Sequence, residues 1–150
     1  MSLVYWDTML FVYLIEEHPE HAARVAQVLA AMDKRGDSLC TSVFTPGEIL
    51  TGAYKRGATE VVAGIREILR PPRVELLPFT AKTAEIYAQI RGENRVSAAD
   101  AIHLACAAEA GVNLFLTNDR RLTGLIVPGI DFIAGMDVDL FERAGPSQAG

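Results

Sequence analysis

A chain of 150 residues has room for one ordinary domain, and with 50% of its residues hydrophobic it can close a core without disulfides or a structural metal. The formal net charge of −5 counts against a broad basic surface for nucleic acid, but not against a few acids gathered around a cation. Its two cysteines, Cys40 and Cys106, lie in apolar segments without framework spacing, which suits a reduced intracellular chain, and no apolar run reaches the ~18 residues of a membrane span.

Residues 3–15 are apolar but carry Asp7 in their middle and have no basic residue ahead of them, so they are read as part of the fold rather than as a secretory signal. A cytoplasmic location is expected. Within this stretch residues 3–6 form the first expected strand and 10–17 a short helix. Pro19 suits the first position of a second helix running to about Lys34. Residues 38–43 read as a second strand, after which Thr45-Pro46 opens a helix toward Tyr54. Thr59 begins another helix, which reaches Leu69 before Pro71-Pro72 stops it. A third strand over 74–77 leads to a helix over 80–91. An alanine-rich helix over 97–110 is closed by Gly111. Residues 113–117 make a fourth strand and 130–133 a short fifth. Beyond about residue 135 the apolar period is lost, so 1–135 is taken as the domain and 136–150 as a flexible tail.

Strands separated by helices pair in parallel, because parallel neighbours need a crossover of a dozen or more residues. Near-continuous apolar strands suit burial on both faces. The expected architecture is therefore an α/β fold of three layers, with helices on both sides of a parallel sheet of four to five strands.

In such sheets ligands bind beyond the carboxyl ends of the strands. Asp7 directly follows the first strand, and Asp119 stands two residues past Thr117 at the end of the fourth. Glu48 falls in the first turn of the helix after the second strand, and Asp100 in the first turn of the helix leading into the fourth. Each acid has a plainer explanation. Thr45-x-x-Glu48 and Ser97-x-x-Asp100 both match a capping box, Asp7 can cap the next helix, and Asp119 can be a turn residue. Together they suggest more. Two like charges ~4 Å apart repel by about 1 kcal/mol in water and by about 4 kcal/mol at an effective dielectric of 20. Four crowded carboxylates call for a proton or a cation, and oxygen ligands without thiolate select Mg²⁺ or Mn²⁺.

Four segments, in order, resemble the PIN-domain family and in particular the VapC-like toxins of bacterial toxin–antitoxin pairs. They are Val4-Tyr-Trp-Asp7-Thr8, the run from Thr41 through Glu48-Ile-Leu, the run from Arg95 through Asp100-Ala-Ile-His-Leu-Ala105, and Leu116-Thr-Asn-Asp119-Arg-Arg-Leu122. The resemblance extends from residue 3 to about 133. It implies a Rossmann-like PIN fold and Mg²⁺- or Mn²⁺-dependent endoribonuclease activity. It also implies an acidic quartet of Asp7, Glu48, Asp100 and Asp119, supported by Thr117. Two residues after the first Asp the family usually has Asn or Ser, and here stands Met9. That departure keeps open a catalytically inactive binding module on the same fold. It also argues against a phosphatase using Asp-x-Asp.

Arg120 and Arg121 follow Asp119, while Arg91 and Arg95 precede the Asp100 helix, so all four are candidates to hold RNA phosphates. Among the three histidines, His103 is read as a packed residue that can share a helix face with Asp100, and His18 and His21 as exposed. Trp6, Phe44, Phe79 and Phe115 are expected in the core. A VapB-like antitoxin is an expected partner. Its seat would be a groove among the early helices, where Phe11, Leu14, Ile15, Val61, Ile65, Ile68 and Leu69 either form the surface or pack on the sheet. A homodimer is expected by family analogy.

Overall fold

The structure, a computed structural model, describes residues 1–137; of the expected tail over 136–150, Met136 is buried in the first core and 138–150 lie outside the described residues. Strands β1 (Leu3–Trp6), β2 (Ser38–Ser42), β3 (Glu75–Leu77), β4 (Leu114–Leu116) and β5 (Phe132–Ala134) form one sheet in the order β3-β2-β1-β4-β5. Every neighbouring pair is parallel. The period-two alternation of a strand explains why both faces are apolar. Val4, Trp6, Leu39, Leu114 and Leu116 enter one core, while Tyr5, Cys40 and Phe115 enter the other.

The first core is roofed by α1 (Thr8–Ile15), α2 (Ala22–Arg35), α3 (Phe44–Lys55) and α4 (Val62–Ile68). The second is covered by α5 (Ala81–Glu93) and α6 (Ala98–Ala110), with a short α7 (Arg120–Thr123) beside them. Fully burying a large apolar side chain contributes about 1.5–3 kcal/mol. Trp6, Leu10, Phe11, Leu104 and Phe115 are all below 2% or at 2% exposure, so these two cores hold the sandwich together. The expected three-layer fold with a parallel sheet is the observed one.

Where the elements depart from expectation, local hydrogen bonding is the reason. Pro19 lies in a turn and α2 starts at Ala22. His18 Nδ1 accepts from the backbone N–H groups of Glu20 and His21, a side-chain turn that displaces the first helical bonds. The stretch after Thr59 opens as a 3-10 turn (Thr59–Val61) because Ala58, at the cap position, has no oxygen to offer. Helix α7 is too short to leave a periodic signal. Gly111 closes α6 in the left-handed conformation, φ 68°, as its position implied. Gly129 has φ +98° and lies so close to α6 that a Cβ would stand 2.5 Å from the Ala108 carbonyl oxygen. Phe79, expected in the core, is 42% exposed, because it falls in the loop after β3, where its ring stands edge-on to that of Tyr87.

From β1 the chain moves outward through β2 to β3, then returns to lay β4 and β5 on the other side of β1. The sheet order therefore reverses between β1 and β4. A crevice opens at the carboxyl ends of these two strands. Asp7 and Thr117 stand at its lip.

Candidate active site

The ladder between β1 and β4 runs one residue past the strand, with Asp7 N donating to Leu116 O at 3.0 Å. This fixes the Asp7 backbone at the crevice. Its Oδ1 accepts from Thr8 N at 2.8 Å, so Asp7 does cap α1. The cap uses only one oxygen, and Oδ2 accepts from Thr117 Oγ1 at 2.8 Å, from the exit of β4. Thr117 Oγ1 in turn accepts from Asp119 N at 3.1 Å, so one hydroxyl ties the Asp7 carboxylate to the Asp119 backbone.

Glu48 is not part of a capping box. Helix α3 begins at Phe44 with Val43 at its cap, and the Thr45 hydroxyl is buried 2.7 Å from Thr41 Oγ1. The Glu48 Oε1 instead accepts from Thr8 Oγ1 at 2.6 Å and from His103 Nε2 at 2.6 Å. At α6, Ser97 caps the helix by accepting from Asp100 N at 3.1 Å, the Ser half of a capping box. Asp119 caps α7 and is gripped by its neighbour: Arg121 Nε donates to Oδ1 at 3.0 Å and Nη2 to Oδ2 at 2.7 Å.

Asp7, Glu48, Asp100 and Asp119 all line one cavity of about 390 Å³, shared with Met9, His103, Asn118 and Arg120. A larger cavity, about 850 Å³, opens elsewhere, beside the amino ends of β2 and β3 at Ser38 and Glu75, and holds none of the four acids. The electrostatics of the first cavity follow from its crowding. Burial pushes the Asp7 carboxyl above the ordinary range and the charge of Asp100 adds to this, against relief from His103 and the Thr117 hydrogen bond. For Glu48 burial acts in the same direction, but the bonds from His103 and Thr8 outweigh it and hold the carboxyl below its ordinary value. The hydrogen bonds from Arg121 draw Asp119 down, and Asp119 raises Arg121.

This all-oxygen set suits a hard dication, and a buried carboxylate that pays for its charge beside Asp100 is the kind of group a cation relieves. The chelate is not closed, however. Among the described residues no three Asp, Glu, His or Cys side chains stand together as a ready-made metal site. Two of the four acids have their charge answered within the protein, Glu48 by Thr8 and His103 and Asp119 by Arg121. Mg²⁺ keeps several waters and uses few carboxylates, so an open arrangement still fits it.

The basic residues are unequally placed. Arg120 lines the cavity, Arg121 is engaged with Asp119, and Arg91 and Arg95 lie outside the lining. Sequence reasoning missed Thr8 and Tyr5 as polar partners of the cavity's residues. It left His103 as packing, which its 2% exposure bears out, without its bond to Glu48. His18 and His21 are half-buried, stacked on each other at 4.8 Å beside Tyr13, rather than fully exposed.

An α/β/α sandwich with a parallel sheet and an acid-lined crevice at its switch point defines the class of fold. The family model of the PIN domain matches residues 4–125, a span that contains all four acids, and the chain belongs to the PIN-domain family. Among solved structures it is similar to the DNA-bound VapBC of Salmonella typhimurium, with 25% identity, a TM-score of 0.70, and coverage of 91% of this chain and 99% of that one. Rickettsia felis VapBC2, bound to a promoter DNA fragment, gives 20% identity, a TM-score of 0.72 and coverage of 89% and 98%. The Mycobacterium tuberculosis VapC20 toxin, which cleaves the sarcin–ricin loop, gives 17% identity, a TM-score of 0.66 and coverage of 82% and 96%. A search of curated proteins returned no match. Among the described residues no helix is long and apolar enough to cross a membrane.

Proposed function

We propose that this protein is a Mg²⁺- or Mn²⁺-dependent endoribonuclease, the toxin of a VapBC-type toxin–antitoxin pair acting in the cytoplasm. The observation that carries the reading is the convergence of Asp7, Glu48, Asp100 and Asp119 on one cavity beyond the carboxyl ends of β1 and β4. Asp7, Asp100 and Asp119 would hold the ion directly or through water, and Glu48 would bind a second ion or orient the attacking water. Thr117 keeps the Asp7 carboxylate aimed by its 2.8 Å hydrogen bond. The bound ion supplies an acidified water and neutralises charge at the scissile phosphate. Water adds to phosphorus as the P–O3′ bond breaks, leaving a 5′-phosphate and a 3′-hydroxyl. Arg120, in the cavity wall, is placed to hold a neighbouring phosphate. Arg121, here paired with Asp119, and Arg95, outside the cavity lining, are the further candidates to hold phosphate.

A VapB-like antitoxin has a seat in the groove of about 510 Å³ between α1, α3 and α4, lined by Val12, Ile15, Ile49, Val61 and Ile65 and running up to Met9 and Glu48 at the cavity. Phe11, Ile65 and Leu69 are mostly spent on the core, so the partner would meet the half-buried remainder of those stripes. A homodimer is carried over by family analogy.

The unfinished chelate and Met9, 44% exposed at the cavity, favour one alternative: an inactive PIN-fold module that binds RNA or a protein. Incubating the purified protein with mixed cellular RNA, with Mg²⁺ or Mn²⁺ and with or without EDTA, followed by end mapping, separates the two. Discrete 5′-phosphate ends that vanish with EDTA are expected. Absence of cutting, or cutting that ignores the chelator, would refute the nuclease reading.

A further inference from the structure

His103 is a residue of α6 with 2% exposure, lying between two polar partners. Its Nε2 is 2.6 Å from Glu48 Oε1, 3.2 Å from Thr8 Oγ1 and 3.8 Å from Asp7 Oδ1. Its Nδ1 is 2.6 Å from the phenol oxygen of Tyr5, a residue with no exposure at all. That phenol oxygen accepts from Ser42 N at 3.1 Å, and the Tyr5 ring is stacked on Phe115 with centroids 4.9 Å apart and planes 7° from parallel. The imidazole thus hangs from the central strands β1, β2 and β4.

For a neutral His103, counting donors and acceptors gives the nitrogen that carries the proton. An ionised Glu48 can only accept, so Nε2 must be N–H. Tyr5 takes the Ser42 N–H on its oxygen and has its own proton left to give, and Nδ1 is the acceptor at 2.6 Å. The result is a directed chain from Ser42 N–H through Tyr5 O–H and His103 to Glu48.

At the far end both donors, His103 Nε2 and Thr8 Oγ1, fall on the same oxygen, Oε1. Among the described residues no donor reaches Oε2. Glutamate has three rotatable bonds, and nothing in α3 alone would fix which oxygen meets the cavity. Two donors from two other helices do so.

We propose that His103, locked by Tyr5 in the Nε2–H tautomer, is a positioning residue that clamps Oε1 of Glu48 together with Thr8 and so reserves Oε2 for the dication or the attacking water. The assignment of Oε2's task rests on the nuclease reading; the lock itself does not. Removing a hydrogen-bonding partner of a metal ligand typically costs about 10–100-fold in metal affinity or activity.

The test has two readouts. In metal-free, ¹⁵N-labelled protein, long-range ¹H–¹⁵N correlation of the His103 ring should show a protonated Nε2 and a bare Nδ1. Tyr5→Phe, which removes the single hydroxyl that meets Nδ1, should shift the Nδ1 resonance while Nε2 stays protonated against Glu48. In Mn²⁺ titrations and single-turnover RNA cleavage, His103→Leu should lose about tenfold or more in affinity or rate. His103→Gln, whose side-chain amide can donate to Oε1, should recover part of the loss. A bare Nε2 in the wild type, an Nδ1 resonance unmoved in Tyr5→Phe, or His103→Gln behaving no better than His103→Leu would overturn the proposal. If His103→Leu fails to fold, the tautomer pair and the Gln variant still decide it. Wild-type protein that shows the locked tautomer yet cuts no RNA would sink the nuclease reading and leave the lock standing.

Discussion

Replacing Asp7 with Asn is expected to lower metal-dependent RNA cleavage by about 10³-fold or more, with the fold retained. The size follows from the chemistry: a lost ion-holding carboxylate removes several kcal/mol of transition-state stabilisation, and each ~1.4 kcal/mol is a factor of ten. Asn can still accept from Thr8 N and turn its amide toward Thr117 Oγ1, so the cap on α1 and the tie to β4 survive. Stability should respond in the opposite direction to activity. The Asp7 carboxyl is raised in the folded state by burial and by Asp100. Its contribution to stability is therefore present at pH below its unfolded value and is lost as pH rises through its folded value. At neutral pH the metal-free wild type carries that penalty, which Asn does not. Thermal melts in chelator should give the variant a midpoint no lower than the wild type at pH 7, and a relative loss on acidification. Undiminished cleavage by Asp7→Asn would remove Asp7 from the mechanism.

Phe115→Ala is expected to cost about 3–5 kcal/mol, as for other large-to-small changes at fully buried aromatics. Phe115 has no exposure, lies in β4 between β1 and β5, and carries the stacked ring of Tyr5. Against a total stability of about 5–15 kcal/mol, that is a large share. Urea denaturation should show a lower midpoint with little change in slope, and the melting temperature should fall by roughly 6–20 °C at about 2–4 °C per kcal/mol. A cost under about 1 kcal/mol would mean that the α5–α6 side of the sandwich does not pack as described. The same variant should loosen His103, because its anchor Tyr5 loses the ring it lies on.

Much of this molecule was legible before its structure. The strands were, because sheet residues buried on both faces leave apolar runs such as Leu3–Trp6, and these are bounded by Asp7 and by turn residues. The acids were, because Asp7 and Asp119 follow β1 and β4 while Glu48 and Asp100 fall near the starts of helices, and the placement of β4 beside β1 then brings Asp7 and Asp119 to one crevice. Element starts were less legible where a side chain competes with the backbone, as His18 does ahead of α2. Thr45-x-x-Glu48 has the spacing of a capping box, yet burial of Thr45 against Thr41 moved the helix start and released Glu48 to the cavity. The bonds that orient Glu48 could not be read at all. They join α3 to α1 and α6 across 40 and 55 residues of sequence, and only the crossing of those helices brings them together. The pairing of Arg121 with Asp119 was hidden for a different reason: adjacency in sequence suggested two free cations beside an acid, where the α7 cap geometry turns one of them back onto it.

The account depends on Asp7, Asp100 and Asp119 gathering a dication with Glu48 beside it, even though the metal-free arrangement leaves Asp119 with Arg121 and Glu48 with His103. Calorimetric titration of Mn²⁺ into the wild-type protein and into Asp100→Asn tests this without reference to any RNA. Saturable binding by the wild type, weakened about tenfold or more in Asp100→Asn, is the predicted result. A wild-type protein that takes up no Mn²⁺, or an Asp100→Asn variant that binds it equally well, would contradict the account.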